Sequence, residues 1–260
     1  MQILLTNDDG IYAPGLAAME RELLRLGDVC VVAPAIEQSG VGHSITFLTP
    51  LMAKEIFDGD RRRGWAVEGS PADCVKLGVT EFSPQQPDLL VSGINGGLNL
   101  GVNVLYSGTV AGATEGALFG IPSIAVSLEY DERPNFEGAA QLAVDLIQRI
   151  LEQEDAVDHP LYNINIPTSA LRPGVDVEVR VVPMATIGWA TEFERRLDPK
   201  GRHYYWAVGT PVTPSGGELT DFDALQQGYV TLTPLRIDRT EPRMLERMRD
   251  WKLSFAPAGK

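Results

Sequence analysis

The chain of 260 residues holds only two cysteines and three histidines. Cys30 falls in an apolar, strand-like run and Cys74 in a helix-like segment, with neither a CxxC spacing nor an accompanying histidine cluster. That argues against a zinc ribbon or a disulfide scaffold and leaves two buried, reduced thiols. Basic side chains are also scarce: 22 Lys and Arg stand against 35 Asp and Glu, a formal net charge of −13. A phosphate backbone is bound chiefly by Lys and Arg, so neither a nucleic-acid duplex nor an anionic membrane is expected as a partner. A small anion remains compatible with this charge where a metal reverses the field locally. No apolar run is long enough to span a bilayer, and the N-terminus enters a strand without a basic segment, so the expected location is cytoplasmic.

What is present is an ordinary globular composition, 44% apolar and 22% charged, enough for one large domain or a domain with an appendage. The stretch Thr6-Asn7-Asp8-Asp9-Gly10 follows the apolar Ile3, Leu4 and Leu5, which places two adjacent carboxylates at the carboxyl end of a buried strand. In open α/β sheets that edge is where ligands bind. Taken alone, the pair reads equally well as a turn residue and a helix cap. The spacing of Leu16, Met19, Leu23 and Leu26 predicts an amphipathic helix from Pro14 to Leu26, ended by Gly27. Val29 to Val32 form an unalternating run, as expected of a parallel strand covered on both faces.

That strand feeds a loop, Glu37 to Ser44, rich in glycine and hydroxyls, in which His43 is expected to be a hydrogen bonder rather than a base. Residues 45–48 and 65–68 predict the arms of a small hairpin about Phe57-Asp58-Gly59-Asp60, with Arg61, Arg62 and Arg63 as a solvated turn. Ser70, Pro71 and Asp73 start a helix. The strand Asp88 to Ile94 runs into Asn95-Gly96-Gly97-Leu98-Asn99, where Asn95 offers a neutral oxygen to a cation. A small-residue helix from Val110 to Phe119 follows, with Ser107 and Thr109 at its N-terminus as caps and as a phosphate-sized anion site.

A strand from Ser123 to Leu128, a helix from Phe136 to Ile150 and a strand from Tyr162 to Pro167 complete a doubly wound, mostly parallel α/β sheet over residues 1–170. In 171–260, a hairpin, strand and helix arm whose strands can also join the main sheet, Val175, Val177, Val179 and Val181 alternate as in a half-exposed strand. Asp198-Pro199-Lys200-Gly201 joins the aromatic arms Trp189 to Arg196 and His203 to Val208 of a projecting hairpin. Thr220 and Asp223 cap a short helix before the strand Tyr229 to Leu235. A last helix, Thr240 to Lys252, carries the stripe Leu245, Met248, Trp251, which fits docking on another subunit by exchange of the arm.

Asp8, Asp9, Ser39 and Asn95 therefore leave three parallel strands on one edge and can converge. Their donors are all oxygens, which suits Mg²⁺, Mn²⁺ or Ca²⁺ better than zinc or copper. Two carboxylates leave room for water and a substrate phosphate, so metal-assisted phosphate-ester hydrolysis is the expected chemistry. A phospho-receiver domain also begins with an acidic pair, but Gly93 or Asn95 stands where its acceptor aspartate would be. A metal-dependent nucleotide-sugar transferase is a further alternative, with Asp8 and Asp9 on its metal.

The segments TNDDG, SGVGHSIT, EGSPADCV, PDLLVSGINGGLNLG, YSGTVAGATEGALFGIPSIAVS and YNINIP, in this order, strongly resemble the stationary-phase survival protein SurE family, as does TDFDALQQGYVTLTPL. The resemblance implies a Rossmann-like fold with a C-terminal hairpin and swapped arm, in dimers or tetramers. It implies a divalent-metal-dependent 5′- and 3′-nucleotidase acting on nucleoside monophosphates, with short polyphosphate as a further substrate. Carried over by position, Asp8, Asp9, Ser39 and Asn95 hold one Mg²⁺ or Mn²⁺ per subunit, and Asn99, Ser107, Gly108 and Thr109 surround the phosphate. Asp8, Asp9, Asn95 and Ser107 are the expected catalytic residues. The expected mechanism is direct attack by a water positioned at the metal, with Asp9 or Asp8 as base.

Overall fold

Gln2–Thr6 forms β1, and all five of its residues are buried. Successive side chains of a strand point to opposite faces. Ile3 and Leu5 accordingly join one apolar cluster and Leu4 the other, which makes β1 the middle of three layers. In the computed structural model, residues 1–153, 160–186, 189–211, 217–251 and 253–254 are described. After β1 come α1 (Pro14–Leu23), β2 (Asp28–Pro34), the hairpin β3 (Ala53–Asp58) and β4 (Arg61–Val67), and α2 (Pro71–Leu77). The next elements are β5 (Leu89–Gly96), α3 (Gly108–Leu118), β6 (Ser123–Leu128), α4 (Phe136–Leu151) and β7 (Leu161–Ile166). The chain continues with β8 (Val179–Val181), β9 (Trp189–Leu197), β10 (His203–Pro211), α5 (Asp221–Gln226), β11 (Val230–Pro234) and α6 (Pro242–Arg249).

Among the described residues the main sheet has nine strands in the order β3-β4-β2-β1-β5-β6-β7-β11-β8. Pairing is parallel from β4 to β7, while β3 runs antiparallel to β4 and β11 antiparallel to β7. Helices α1 and α4 cover one face, and α2 and α3 the other. The chain leaves β1 toward β2 and returns to pair β5 on its other side, so the strand order reverses between β1 and β5. This is the switch point at which a crevice opens beyond the carboxyl ends of the strands.

The Rossmann-like α/β architecture agrees with the sequence reading, and its departures are local. The first hairpin arm is Ala53–Asp58 and not 45–48. The Thr46 backbone N–H donates to Asp73 Oδ1 at 2.9 Å, so this stretch is tied to a helix cap instead of a ladder. Helix α1 ends at Leu23, and Leu26 and Gly27 turn back onto its carbonyl at 2.9 and 3.3 Å. In the 175–181 run only Val179–Val181 pairs, and all three of those residues are exposed at the sheet's edge.

Beyond residue 170, β8 and β11 join the main sheet, whereas β9 and β10 form a separate antiparallel pair. Glu241, not Thr240, caps α6, accepting from the N–H groups of Arg243 and Met244. No residue of α6 is buried, and Leu245, Met248 and Trp251 are exposed. Lys252, the expected end of that helix, lies outside the described residues, as do 255–260 of the arm. Both thiols are free, with Cys74 buried and Cys30 half-buried. No described helix is long and apolar enough to cross a membrane.

Candidate active site

The turn after β1 is closed by Asn7. Its buried amide donates to Gly10 O at 3.0 Å and accepts from the Gly10 N–H at 3.2 Å. The two carboxylates thereby project beyond the strand end. Asp8 is only 5% exposed, and its Oδ1 accepts a 2.5 Å hydrogen bond from the Thr109 hydroxyl. Asp9 is half-buried and accepts from the Gly96 N–H at 3.1 Å, a bond that spans the switch point from β1 to β5. The loop after β2 is drawn in by Gln38 N–H, which donates to Asp8 O at 2.7 Å.

Burial raises the Asp8 pKa from its ordinary 3.8 to about 6, helped by the charge of Asp9 and opposed by the Thr109 hydroxyl and backbone N–H. Asp9 is also pushed up by burial, against the Gly96 N–H and with a contribution from Glu37. A raised folded-state pKa means that the folded protein holds this proton more tightly than the unfolded chain. The stability contributed by Asp8 is therefore complete below about pH 4 and lost as pH rises through about 6. In chelator, the wild type is expected to lose up to about 3 kcal/mol relative to Asp8→Asn between pH 4 and pH 7. Denaturant midpoints of the two proteins across that range check this, and a constant difference would contradict it.

Asn95 is aimed by an irregularity in β5. Ser92 pairs Ala125 and Asn95 pairs Ser127, so Gly93 and Ile94 together face the single Val126 and the alternation of the strand resets before Asn95. Only glycine fits at 93: φ is +143°, and an added Cβ would lie 2.3 Å from Val126 O. The Asn95 amide donates to Gly97 O at 2.6 Å, which leaves its oxygen for a ligand. Ser39 is exposed in the loop after β2 and donates to Glu37 Oε1 at 2.5 Å. Ser107 is the N-cap of α3, its Oγ accepting from the Val110 N–H at 3.1 Å.

Asp8, Asp9, Ser39, Asn95, Asn99 and Ser107 all line one cavity of about 350 Å³. Gly108 and Thr109 are not among its lining residues. Thr109 is fully buried with its hydroxyl on Asp8, so of the two candidate caps Ser107 takes the helix and Thr109 holds the carboxylate. Gly108 provides clearance, since a Cβ there would come within 2.7 Å of Asp8 Cβ. Asn99 is clamped from the adjacent strands, donating its amide to Ser127 Oγ at 2.8 Å. Its carbonyl accepts from Asn163 at 2.8 Å and Asn165 at 3.0 Å.

Glu37, Asn103 and Tyr106 also line the cavity and were not singled out from the sequence. The sequence marks Asn163 and Asn165 only as strand residues. Two asparagines two apart in a buried strand share a face, which was the available signal.

Three carboxylates face this cavity and none of its lining residues is basic. The donor set fits a hard divalent cation: two carboxylate side chains, one hydroxyl and one amide oxygen. Among the described residues no group of three or more His, Cys, Asp or Glu could hold a metal. A cation here consequently depends on the neutral oxygens of Ser39 and Asn95.

The family model described as "Survival protein SurE" matches residues 3–191. A 5′-nucleotidase SurE from Rhodopirellula baltica is 52% identical over 254 residues, covering 97% of this chain and 99% of that protein. One from Desulforudis audaxviator is 42% identical over 259 residues, covering 98% and 99%. The crystal structure of the SurE protein from Aquifex aeolicus superposes with a TM-score of 0.82 at 39% identity, covering 96% of this chain and 98% of that one.

Proposed function

Because the chain belongs to the survival protein SurE family, we propose that it is a divalent-metal-dependent phosphomonoesterase that hydrolyses nucleoside 5′- and 3′-monophosphates, with short polyphosphate as a further substrate. The relatives named 5′-nucleotidase support the nucleotidase activity. One observation carries the metal dependence: the cavity joins three carboxylates to the N-terminus of α3, with no basic side chain in its lining. A phosphate monoester dianion would be repelled by that half of the site unless a cation stood between them.

Asp8, Asp9, Ser39 and Asn95 would hold one Mg²⁺ or Mn²⁺ per subunit. When bound, such an ion offsets phosphoryl charge and favours ionisation of water at neutral pH. The remaining phosphate oxygens face the Ser107 hydroxyl and the first turn of α3, whose N–H groups lack intrahelical partners. Asn99, held by three asparagine and serine partners, keeps the wall of the cavity rigid. Thr109 fixes Asp8 through Oδ1, and Asp9, held through Oδ2 by the Gly96 N–H, is the more exposed of the two to the cavity. We assign to Asp9 the proton of the attacking water, which displaces the nucleoside alcohol directly.

A phospho-receiver would need an acceptor aspartate at the carboxyl end of this strand, where β5 has Gly93, Ile94, Asn95 and Gly96. The exposed stripe of α6 and the exposed Tyr205 and Trp206 of the β9–β10 pair support an exchanged arm in a homodimer or homotetramer. Phosphate release from the common 5′- and 3′-monophosphates, with Mg²⁺, Mn²⁺, Co²⁺ or chelator, tests the activity. Release from both classes with an added metal and none in chelator is expected; equal release in chelator would overturn the metal dependence.

A further inference from the structure

Glu115 is a buried carboxylate for which the proposed reaction has no use. It sits two turns below Ser107 on α3 and is 3% exposed. Its Oε2 lies 2.7 Å from His43 Nε2, and its Oε1 accepts from Lys76 Nζ at 2.5 Å. Burial raises the Glu115 carboxyl, but the bonds from His43 and Lys76 outweigh that and hold it below its ordinary value. The three side chains come from the loop after β2, from α2 and from α3.

That loop also carries Ser39, which needs to be held in place. Ser39 is exposed and its side chain bonds only within the loop, to Glu37. Gly40 and Gly42 flank this stretch at φ +72° and +57°, so the backbone is intrinsically soft there. Its backbone is tied to the rest of the chain at three points: Gln38 N–H donates to Asp8 O at 2.7 Å, Gly42 N–H to Tyr106 O at 2.9 Å, and Ser44 O accepts from Ser70 Oγ at 2.6 Å. Among the described residues of 37–43, His43 makes the one side-chain hydrogen bond that leaves the loop.

We propose that His43, Glu115 and Lys76 form a latch that pins the Ser39 loop to α3 and so sets the affinity of the site for its divalent ion. The three act as positioning residues. The inference rests on the metal-site reading above. It gives Glu115 a reason to be charged and buried: an ionised carboxylate accepts both donors at once, and Lys76 keeps its charge paired. Outer partners that orient a metal ligand typically change metal affinity 10- to 100-fold when removed.

The informative variant is His43→Ala, because Glu115 then still pairs with Lys76 and no buried charge is left alone. Mn²⁺ binding to the full chain, followed by the EPR signal of free Mn²⁺, is the readout. The wild type is expected to bind one Mn²⁺ per subunit, and His43→Ala about tenfold more weakly. At saturating Mn²⁺ the turnover of His43→Ala should come within about twofold of wild type, since no group touching substrate is lost. His43→Gln, which retains a side-chain N–H donor, should recover most of the affinity, and if His43→Ala proves unstable, His43→Leu, similar in bulk but without a donor, takes its place.

A wild type that binds Mn²⁺ beside a His43→Ala of equal affinity would overturn the latch alone. The same holds if His43→Gln, folded, binds as weakly as His43→Ala. A wild type that binds no Mn²⁺ would overturn the metal-site reading and the latch with it.

Discussion

Asp8→Asn is expected to lower metal-dependent phosphate release from nucleoside monophosphates by about a thousandfold or more, with the fold intact. The substitution keeps the shape of the side chain, and the amide oxygen can still accept from the Thr109 hydroxyl. What it removes is the charge of the more buried of the two carboxylates offered to the ion. Losing electrostatic stabilisation of a developing phosphoryl charge commonly costs several kcal/mol, which is a factor of about 10³ or greater. Because desolvation of Asp8 is costly in the folded protein, the same variant should be more stable than wild type in chelator near neutral pH. Steady-state phosphate release and a thermal midpoint in chelator check both halves. Wild-type turnover in Asp8→Asn would remove the site from consideration.

Gly108→Ala is expected to reduce turnover about a hundredfold although the new side chain reaches neither metal nor substrate. An added Cβ would lie 2.7 Å from Asp8 Cβ and 2.9 Å from Asp8 Oδ2. One of the two residues must move, and α3 is held by its packing on β5 and β6 through Gly112 and Gly116. Asp8 therefore gives way, and a displacement of about 1 Å at a catalytic group can cost about 10²-fold. Position 108 is the first residue of α3, where the intrinsic helix preference for alanine over glycine is weaker than in a helix interior, so propensity changes stability little. A large fall in kcat with little change in thermal midpoint is thus the distinguishing pattern. A folded Gly108→Ala with wild-type kcat would show that Asp8 need not be where it is seen.

The parts of this site that were legible in the sequence are those fixed by local rules. An apolar run ending in Asp8 and Asp9 places the pair at a strand end, and three such strands on one edge bring Ser39 and Asn95 toward it. Thr109 shows where local rules stop. Ser107 and Thr109 can each cap α3, and the choice is settled by Asp8, which lies 101 residues away in the chain and takes the second hydroxyl. The reset of β5 before Asn95 was hidden for the same reason, since it exists only relative to the register of β6.

Stretch 45–48 reads like a strand, but the Thr46 backbone N–H is taken by Asp73 of the α2 capping box and not by a ladder. Asp221 opens α5 and is not singled out by the sequence. In the fold it is fully buried and accepts backbone N–H groups of Gly101 and Ala185, each at 2.8 Å. No periodicity could have shown that contact.

The joint role of Ser39 and Asn95 with the acidic pair is tested most directly by crystals grown with Mn²⁺ and measured at an anomalous wavelength. One peak per subunit is expected in the cavity between β1 and β5, within about 2.3 Å of oxygens from Asp8, Asp9, Ser39 and Asn95. The peak should vanish in Asp8→Asn. A wild-type protein active with Mn²⁺ whose only peak lies away from these four residues would contradict the assignment.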